Sequence, residues 1–316
     1  MTQVITLGET MALFVAQEPG PLREATTFRR HIAGAESNVA IGVARLGHTA
    51  GWIGCVGDDE LGRAVLFRLR GEGVDVSHAR IDREAATGVF FRERRESGPL
   101  EVVYYRRGSA GSRLAPTDLD ESYLARARFL HLTGITPALS PSCREAAFRA
   151  AELARAHGVT VVLDPNFRRK LWSADEARAT LRDLARRCDI MMPGIDEAEL
   201  LTGHTDPEQA ARDLLALGAT LVVIKLGARG SVALQAGDAA PTFAPAIPVA
   251  RVVDPVGAGD AFAAGFLVGR LENLDLADAL ALANRCGAFA ITTSGDVEAL
   301  PLRSEIDLVP TSDVRR

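Results

Sequence analysis

The sequence predicts an α/β protein in which a mostly parallel sheet is covered by helices on both faces. Short runs rich in β-branched residues alternate with segments of helical period over most of the 316 residues. Two regions, about 8–33 and 86–108, depart from this alternation and contain extended segments with no helix between them. We therefore expect one domain, spanning 1–316, with a small β-sheet that projects from it and is placed to cover a site.

Buried strands are predicted where apolar runs end in glycine or aspartate. These runs are VITLG (4–8), AGWIGCVG (50–57), RFLHLTG (128–134), VTVVLD (159–164), DIMMPG (189–194) and TLVVIKLG (220–227). Because helical segments separate them, the strands should run parallel, and ligands bind beyond the carboxyl ends of such strands.

Helices are predicted from apolar residues that recur on one face. In NVAIGVARLG (38–47), Val39, Val43 and Leu46 share a face, and Gly47 ends the helix. The other predicted helices span 60–70, 142–157, 174–187, 207–217, 259–271 and 276–290.

The two irregular regions predict the small sheet. Residues 8–33 contain the extended segments ETMALFVAQ and TTFRRHIAG, and residues 86–106 form a hairpin that turns at Ser97-Gly98-Pro99. The charged run FRERRESG (91–98) is interpreted as the solvated tip of that hairpin.

Composition excludes several classes of protein. The chain is 47% hydrophobic and 24% charged, with a net charge of −5, which argues against a nucleic-acid-binding protein with a broad basic surface. Its four cysteines have no CxxC spacing, which indicates reduced thiols. The first residues lack a basic leader, and no apolar run approaches the roughly 18–20 residues that span a bilayer. We therefore expect a cytoplasmic protein that does not act at a membrane.

The segment VDPVGAGDAFAAGF (253–266) predicts an anion site. Its glycines let backbone N–H groups converge on a ligand, and the following helix adds its positive N-terminal end. Asp260 stands at the helix start, where it either takes a proton from an attacking hydroxyl or merely caps the helix. No GxxxxGK[ST] occurs, and Phe262 occupies the third glycine position of GxGxxG, so a Walker loop and a dinucleotide fingerprint are excluded here.

A second segment, AGAESNVA (33–40), leads from small residues into a helix. Its backbone amides and the Asn38 side chain could bind sugar hydroxyls, or Ser37 and Asn38 could simply cap the helix.

These two segments, in their order and separation, resemble the signatures of the PfkB, or ribokinase-like, carbohydrate kinases. The resemblance implies a ribokinase-like three-layer fold with a small β-sheet lid, and a phosphotransferase that uses ATP and Mg²⁺ to phosphorylate a sugar hydroxyl. It also implies that Asp260 is the general base, that the amides of Gly257, Ala258 and Gly259 form the anion hole, and that the protein is a homo-oligomer.

Three further segments resemble the 2-keto-3-deoxygluconate kinases of this family: VVYYRRGSAGSRLAP (102–116), HLTGITPALSP (131–141) and LDPNFRRKLW (163–172). The residues that this resemblance places around the sugar acid are Gly34, Ala35, Asn38, Phe90, Tyr104, Arg106, Ile135, Arg168, Asp260 and Asp296. Two arginines suit a carboxylate, because the guanidinium fork binds carboxylates well. Similar segments occur in fructokinases, so a neutral ketose is the alternative acceptor.

The resemblance also implies a nucleotide site. Its expected residues are Asn166, Arg168, Gly194, Lys225, Gly227, Gly230, Gly257, Gly259 and Asn284, with Glu197 near the metal. The sequence departs from the pattern twice. Gly194 stands where the family often has asparagine, and Phe90 stands where the 2-keto-3-deoxygluconate kinases have tyrosine.

Overall fold

The computed structural model of the chain describes residues 2–95 and 101–308. Its strands are β1 (Val4–Leu7), β2 (Met11–Pro19), β3 (Phe28–Ala33), β4 (Ala50–Ile53), β5 (Cys55–Gly57), β6 (Arg80–Asp82), β7 (Val89–Arg94), β8 (Val102–Tyr105), β9 (Phe129–Thr133), β10 (Thr160–Asp164), β11 (Ile190–Met191), β12 (Leu221–Lys225), β13 (Ser231–Gln235) and β14 (Thr242–Ala244). Its α-helices are α1 (Ala35–Arg45), α2 (Glu60–Gly71), α3 (Glu121–Leu124), α4 (Thr136–Leu139), α5 (Pro141–Ala156), α6 (Ala174–Ala185), α7 (Ile195–Thr202), α8 (Pro207–Leu215), α9 (Ala258–Leu271) and α10 (Leu276–Ala290).

The main sheet has eight strands in the order β14-β13-β12-β11-β10-β9-β1-β4. Strands β4, β1, β9, β10, β11 and β12 pair in parallel, whereas β13 and β14 are antiparallel. The prediction of a mostly parallel sheet is therefore confirmed. The predicted strand 50–57 is divided into β4 in this sheet and β5, which pairs with β6 in a separate two-stranded sheet.

Two apolar clusters lie on opposite faces of the main sheet and create three layers. One cluster contains side chains from α1, α2, α9 and α10, and the other contains side chains from α5, α6, α7 and α8. Alternate residues of the strands supply each cluster, because both faces of the sheet are covered. Within residues 2–95 and 101–308, no helix combines the length and apolar character needed to cross a membrane.

Helix α9, which carries Asp260, packs very closely against α10. A Cβ atom on Gly265 would lie 2.8 Å from the sulfur of Cys286, and one on Gly269 would lie 2.9 Å from Cα of Ala279. Only glycine permits this approach without displacing α10. The close packing fixes the first turn of α9 relative to the main sheet.

The small sheet has the order β3-β2-β7-β8, and its strands come from the two regions that the sequence singled out. Strands β7 and β8 are antiparallel, as the hairpin prediction requires. The expected turn at 97–99 lies outside the described residues. The sheet has its own apolar cluster, formed by Met11, Leu13, Ala33 and Phe90.

The interpretation of 91–98 as a solvated tip is wrong for its first part. Arg92 is 5% exposed and Glu93 is 2% exposed. The Arg92 guanidinium lies 3.0 Å from a carboxylate oxygen of Asp254 in the main domain. The partner is distant in the sequence, so the local charge pattern gave no sign of this burial.

Candidate active site

The candidate site lies where strands β10 and β12 end and helix α9 begins. Asp164 is the last residue of β10, and Lys225 is the last residue of β12. The Lys225 ammonium donates a 2.5 Å hydrogen bond to Oδ2 of Asp164. Burial opposes the charge of Lys225, but Asp164 and Glu197 hold its pKa above the usual value. Both side chains therefore lie at the carboxyl edge of the parallel strands, where ligands commonly bind in such sheets.

The loop before α9 contains the residues of the predicted anion site. Gly257 has φ 81°, a left-handed conformation that favours glycine, and it immediately precedes the first helical residue, Ala258. The Ala258 amide has only a long 3.5 Å contact with the carbonyl of Pro255. A Cβ atom on Gly259 would lie 3.8 Å from Nζ of Lys225. Helix-start amides and an ammonium group thus face the same place.

Asp260 lies in the first turn of α9 and is partly buried. Oδ2 of its carboxylate accepts a 2.8 Å hydrogen bond from the side-chain amide of Asn38. Burial raises the pKa of Asp260 to about 7, and the charges of Asp164 and Asp296 act in the same direction. Asn38 and Arg168 oppose this shift. The carboxyl group can therefore accept or hold a proton near neutral pH.

Asn38 is positioned by the start of helix α1. Its amide N–H donates a 2.8 Å hydrogen bond to the carbonyl of Gly34, the residue that precedes the helix. A side chain at Gly34 would collide with the backbone of Glu9 and lie 3.0 Å from Cα of Thr10. Ala35, the first residue of α1, is buried. The small residues therefore let the helix start pack against the chain that follows β1.

The small sheet contributes an aromatic wall. The rings of Phe90 and Tyr104 stack with centroids 5.1 Å apart, and the Arg106 guanidinium lies 5.7 Å from the Tyr104 centroid. Phe90 is buried, whereas 40% of Tyr104 is exposed. Lys170, in the loop after β10, donates a 2.8 Å hydrogen bond to the carbonyl of Val102. This contact joins strand β8 to the main domain.

The two predicted carboxylate-binding arginines have different surroundings. Nε and Nη2 of Arg106 both contact Oε2 of the buried Glu9, at 2.8 and 2.6 Å. Arg168 is exposed and has no ion-pair partner among the described side chains. It nevertheless lies near enough to Asp260 and Asp296 to lower their pKa values. Arg168 is therefore the arginine whose charge is available to a ligand.

Ile135 follows β9 at the same edge of the sheet and is buried. Its amide donates a 3.0 Å hydrogen bond to Oγ1 of Thr133, and that hydroxyl donates a 2.6 Å hydrogen bond to Glu36. Burial raises the pKa of Glu36. The expected contact of Ile135 with a sugar stays a prediction.

Glu197 joins two loops of the candidate nucleotide side. Its carboxylate accepts 2.7 Å hydrogen bonds from the backbone amides of Phe167 and Gly194. Burial raises the pKa of Glu197, and the nearby Asp164 adds to the effect. The Gly194 backbone thus makes a contact at the position where the family often has an asparagine side chain.

The residues present fit a magnesium ion that is held mainly by phosphates and water. Mg²⁺ in phosphoryl-transfer sites commonly uses one or two carboxylates in addition to phosphate oxygens. Asp164 and Glu197 are neighbouring carboxylates at the sheet edge. No group of three or more His, Cys, Asp or Glu side chains could hold a metal within the described ranges. A direct role of Glu197 in metal binding stays a prediction.

The loops after β12 have the backbone conformations that glycine favours. Gly227 has φ 60° and Gly230 has φ 104°. Asn284, which was expected at the nucleotide site, is buried, and its side-chain amide donates 3.1 Å hydrogen bonds to the carbonyls of Ala244 and Pro245. It therefore anchors the end of β14. Asn166 also has positive φ, at 38°.

Asp296 belongs to a cluster that the sequence analysis did not identify. Oδ1 of its carboxylate lies 3.7 Å from Nη1 of Arg92, the same atom that contacts Asp254. Burial raises the pKa of Asp296 to about 6, and the charge of Arg92 opposes the shift. The sequence gave no sign that Arg92 would pair with Asp254, although Asp254 lies in the predicted anion-site segment. Asp164 could have been identified from its position at the end of a predicted strand.

Comparisons with known proteins identify the family of the chain. A family model described as pfkB family carbohydrate kinase matches residues 1–303. The 2-dehydro-3-deoxygluconokinase of Bacillus subtilis (strain 168) is 43% identical over 96% of this chain and 93% of its own length. The enzyme of the same name from Thermoproteus tenax is 40% identical over 97% of this chain and 94% of its own length.

A solved structure is similar to this chain in its fold. A candidate ribokinase II from E. coli, in complex with ATP and Mg²⁺, superposes with a TM-score of 0.90 and is 30% identical. The match covers 97% of this chain and 98% of the E. coli chain. The fold is therefore ribokinase-like, and this chain belongs to the pfkB family of carbohydrate kinases.

Proposed function

We propose that this protein transfers the γ-phosphoryl group of ATP to the terminal hydroxyl, O6, of 2-dehydro-3-deoxygluconate. The observation that carries the reaction type is the position of Asp260, a carboxyl group with a pKa near 7 in the helix turn that follows Gly257. The names of the two curated relatives support this acceptor.

We propose a role for each group. Asp260 accepts the proton of the acceptor hydroxyl as its oxygen attacks the γ-phosphorus. The bond between that phosphorus and the β–γ bridging oxygen breaks, and ADP leaves. The amides at Gly257, Ala258 and Gly259, together with Lys225, stabilise the negative charge on the transferring group.

ATP and Mg²⁺ are the proposed co-substrate and metal. Support comes from the kinase family and from the E. coli structure that contains both. Asp164 and Glu197 would face the metal through water, and Lys225 would face the phosphates. Mg²⁺ supplies charge neutralisation of the phosphate oxygens when it is bound.

The acceptor is proposed to lie between the main sheet and the small sheet, which would act as a lid on a single domain. Tyr104 and Phe90 would contact its carbon chain, and Asn38 would hold the base. The exposed Arg168 would pair with the acceptor carboxylate, because its guanidinium has no ion-pair partner among the described residues. A neutral ketose would leave that charge without a partner.

A coupled ATP-consumption assay tests this proposal. The panel contains 2-dehydro-3-deoxygluconate, its C4 epimer, the isomeric acid with its carbonyl at C5, fructose and 3-deoxyfructose. The last compound is the matched control, since it differs from the first only by a hydroxymethyl group in place of the carboxylate. We expect kcat/KM for the acid to exceed that for 3-deoxyfructose by about 10-fold or more. Equal turnover of fructose or 3-deoxyfructose would overturn the acceptor assignment.

A further inference from the structure

Three buried charges connect the small sheet to the loop before α9. Arg92 projects from β7, Asp254 precedes the anion site, and Asp296 follows α10. Their exposed fractions are 5%, 5% and 7%. Nη1 of Arg92 lies 3.0 Å from Oδ2 of Asp254 and 3.7 Å from Oδ1 of Asp296. A guanidinium from the small sheet is thus enclosed between two acids of the main domain.

Both acids border the backbone that forms the anion site. Oδ1 of Asp254 accepts a 3.1 Å hydrogen bond from the amide of Val256, which shapes the turn immediately before Gly257. The amide of Asp254 donates to the carbonyl of Ile291 at 3.3 Å. A Cβ atom on Gly257 would lie 3.5 Å from the carbonyl oxygen of Asp296. The backbone around Gly257 therefore lies directly beside both acids.

Arg92 is the group that holds the two acids together. Two buried carboxylates repel each other, and removal of the guanidinium between them leaves uncompensated charge. Arg92 also lies on the same face of β7 as Phe90, because residues two apart in a strand point the same way. One strand therefore carries both an aromatic ring of the proposed acceptor site and the cation beside the anion-site loop.

We propose that Arg92 is a positioning residue that holds the 254–257 loop in its anion-binding conformation and couples that loop to the small sheet. Arg92 acts through Asp254 and Asp296 and does not itself contact the transferring group. An acceptor that orders β7 would thereby order the anion site, so acceptor and ATP should bind cooperatively. This inference rests on the proposed function, because it assigns the acceptor side to the small sheet.

The test compares Arg92→Met and Arg92→Lys with Arg94→Met as the matched control. Arg94 is on the same strand, is exposed, and donates a hydrogen bond to the carbonyl of Gln17 instead of to the main domain. The measurements are kcat, KM for each substrate, and the Kd of a non-hydrolysable ATP analogue with and without 2-dehydro-3-deoxygluconate. Near-UV circular dichroism establishes that each variant is folded.

We expect Arg92→Met to lower kcat on the order of 10–100-fold and to abolish the effect of the acceptor on analogue affinity, since couplings of this kind are typically 5–150-fold. KM for the acceptor should change less than kcat. Arg92→Lys should restore part of both properties, and Arg94→Met should match the wild type. A folded Arg92→Met variant with wild-type kcat and wild-type coupling would overturn the proposal.

A double variant keeps the test decisive if Arg92→Met does not fold. Arg92→Met/Asp254→Asn removes the charge of both partners but keeps a side-chain oxygen to accept from Val256. We expect this variant to fold and to remain impaired in kcat and coupling. Recovery of wild-type values would show that Arg92 serves stability alone. Failure of the proposed function is distinguishable, because the wild type would then show no turnover of the sugar acid.

Discussion

The side-chain amide of Asn38 holds Oδ2 of Asp260 at 2.8 Å, which joins the first turns of α1 and α9 across 222 positions of sequence. The hydrogen bond fixes one carboxylate oxygen, and the other is the one proposed to accept the proton of the acceptor hydroxyl. It also favours the charged form of Asp260, against the burial that favours the neutral form. The pKa of the proposed base therefore reflects two opposing effects, burial and this hydrogen bond. Substitution of Asn38 would remove the second.

The first prediction concerns the pH dependence of activity. Only ionised Asp260 can accept a proton, so kcat/KM for the acceptor should rise tenfold per pH unit below the pKa of about 7 and level off above it. Asn38→Leu removes an interaction that lowers the pKa, so the rising limb should move to higher pH. Initial rates across pH 5–9 provide the measurement. A rate that is independent of pH from 5 to 9, as for an ordinary aspartate with a pKa near 4, would contradict the assignment.

The second prediction concerns the base itself. Asp260→Asn should lower kcat by roughly 10²–10⁴-fold, the usual contribution of a general base, with little change in the Kd of either substrate. Single-turnover kinetics and calorimetric titration separate these quantities. Wild-type turnover in this variant would refute the role of Asp260.

A third prediction follows from the same substitution and concerns stability. The folded-state pKa of Asp260 is raised, so ionisation costs stability as pH rises above the ordinary range of a carboxyl group towards and beyond 7. Asp260→Asn should therefore unfold at a higher temperature than the wild type at pH 8, and the difference should shrink as pH falls to 4. Melting curves at several pH values measure it. A constant difference across that range would exclude the pKa shift as its cause.

The fourth prediction distinguishes the two arginines. Arg168→Ala should raise KM for the sugar acid by about 10–100-fold, the effect of losing a charged hydrogen bond, and should hardly change KM for 3-deoxyfructose. Arg106→Ala differs from Arg168→Ala because it should also destabilise the fold. The free energy of unfolding should fall by about 3–5 kcal/mol, since the buried Glu9 is left without its cation. Steady-state kinetics and denaturant unfolding measure both effects. Equal KM changes on the two acceptors would show that Arg168 does not bind the carboxylate.

The fifth prediction concerns His131, in the middle of β9. The side chain is 1% exposed, neither ring nitrogen has a hydrogen-bond partner among the described residues, and burial lowers its pKa from 6.5 to about 4. The unfolded chain therefore binds a proton below pH 6.5 that the folded chain does not bind until about pH 4. The free energy of unfolding is therefore highest, as far as His131 is concerned, above pH 6.5. It decreases by on the order of 3 kcal/mol as the pH falls towards 4.

His131→Phe tests this prediction, because phenylalanine fills a similar volume without a titrating group. The difference in unfolding free energy between wild type and variant should change by that amount between pH 7 and pH 4. A difference that is independent of pH would show that His131 is not buried in its neutral form.

Much of the fold was predictable because hydrophobic periodicity is a local property. The helices 60–70 and 276–290, for example, differ by no more than one residue at either end from α2 and α10. The secondary structure of residues 189–194 was harder to predict. This segment forms the short strand Ile190–Met191 and an isolated parallel bridge between Gly194 and Lys225, because Pro193 has no N–H to donate to the ladder between them. The acidic helix α7 follows directly.

The parts of the candidate site that are formed by local backbone conformation were predictable from the sequence. Gly257 and the start of α9 behave as the motif indicates, because the left-handed turn and the helix start are local. Pairing between distant side chains was not predictable. Glu9 forms an ion pair with Arg106 across 97 positions of sequence. No local pattern around either residue predicts that they pair.

The separate apolar cluster of the small sheet, formed by Met11, Leu13, Ala33 and Phe90, has an evolutionary consequence. None of these four side chains belongs to either of the apolar clusters that cover the main sheet. A gene duplicate could therefore change the compounds it accepts through a few substitutions in this sheet and inherit its phosphate chemistry intact. Such modularity gives a physical reason why one fold can support enzymes with different substrate specificities.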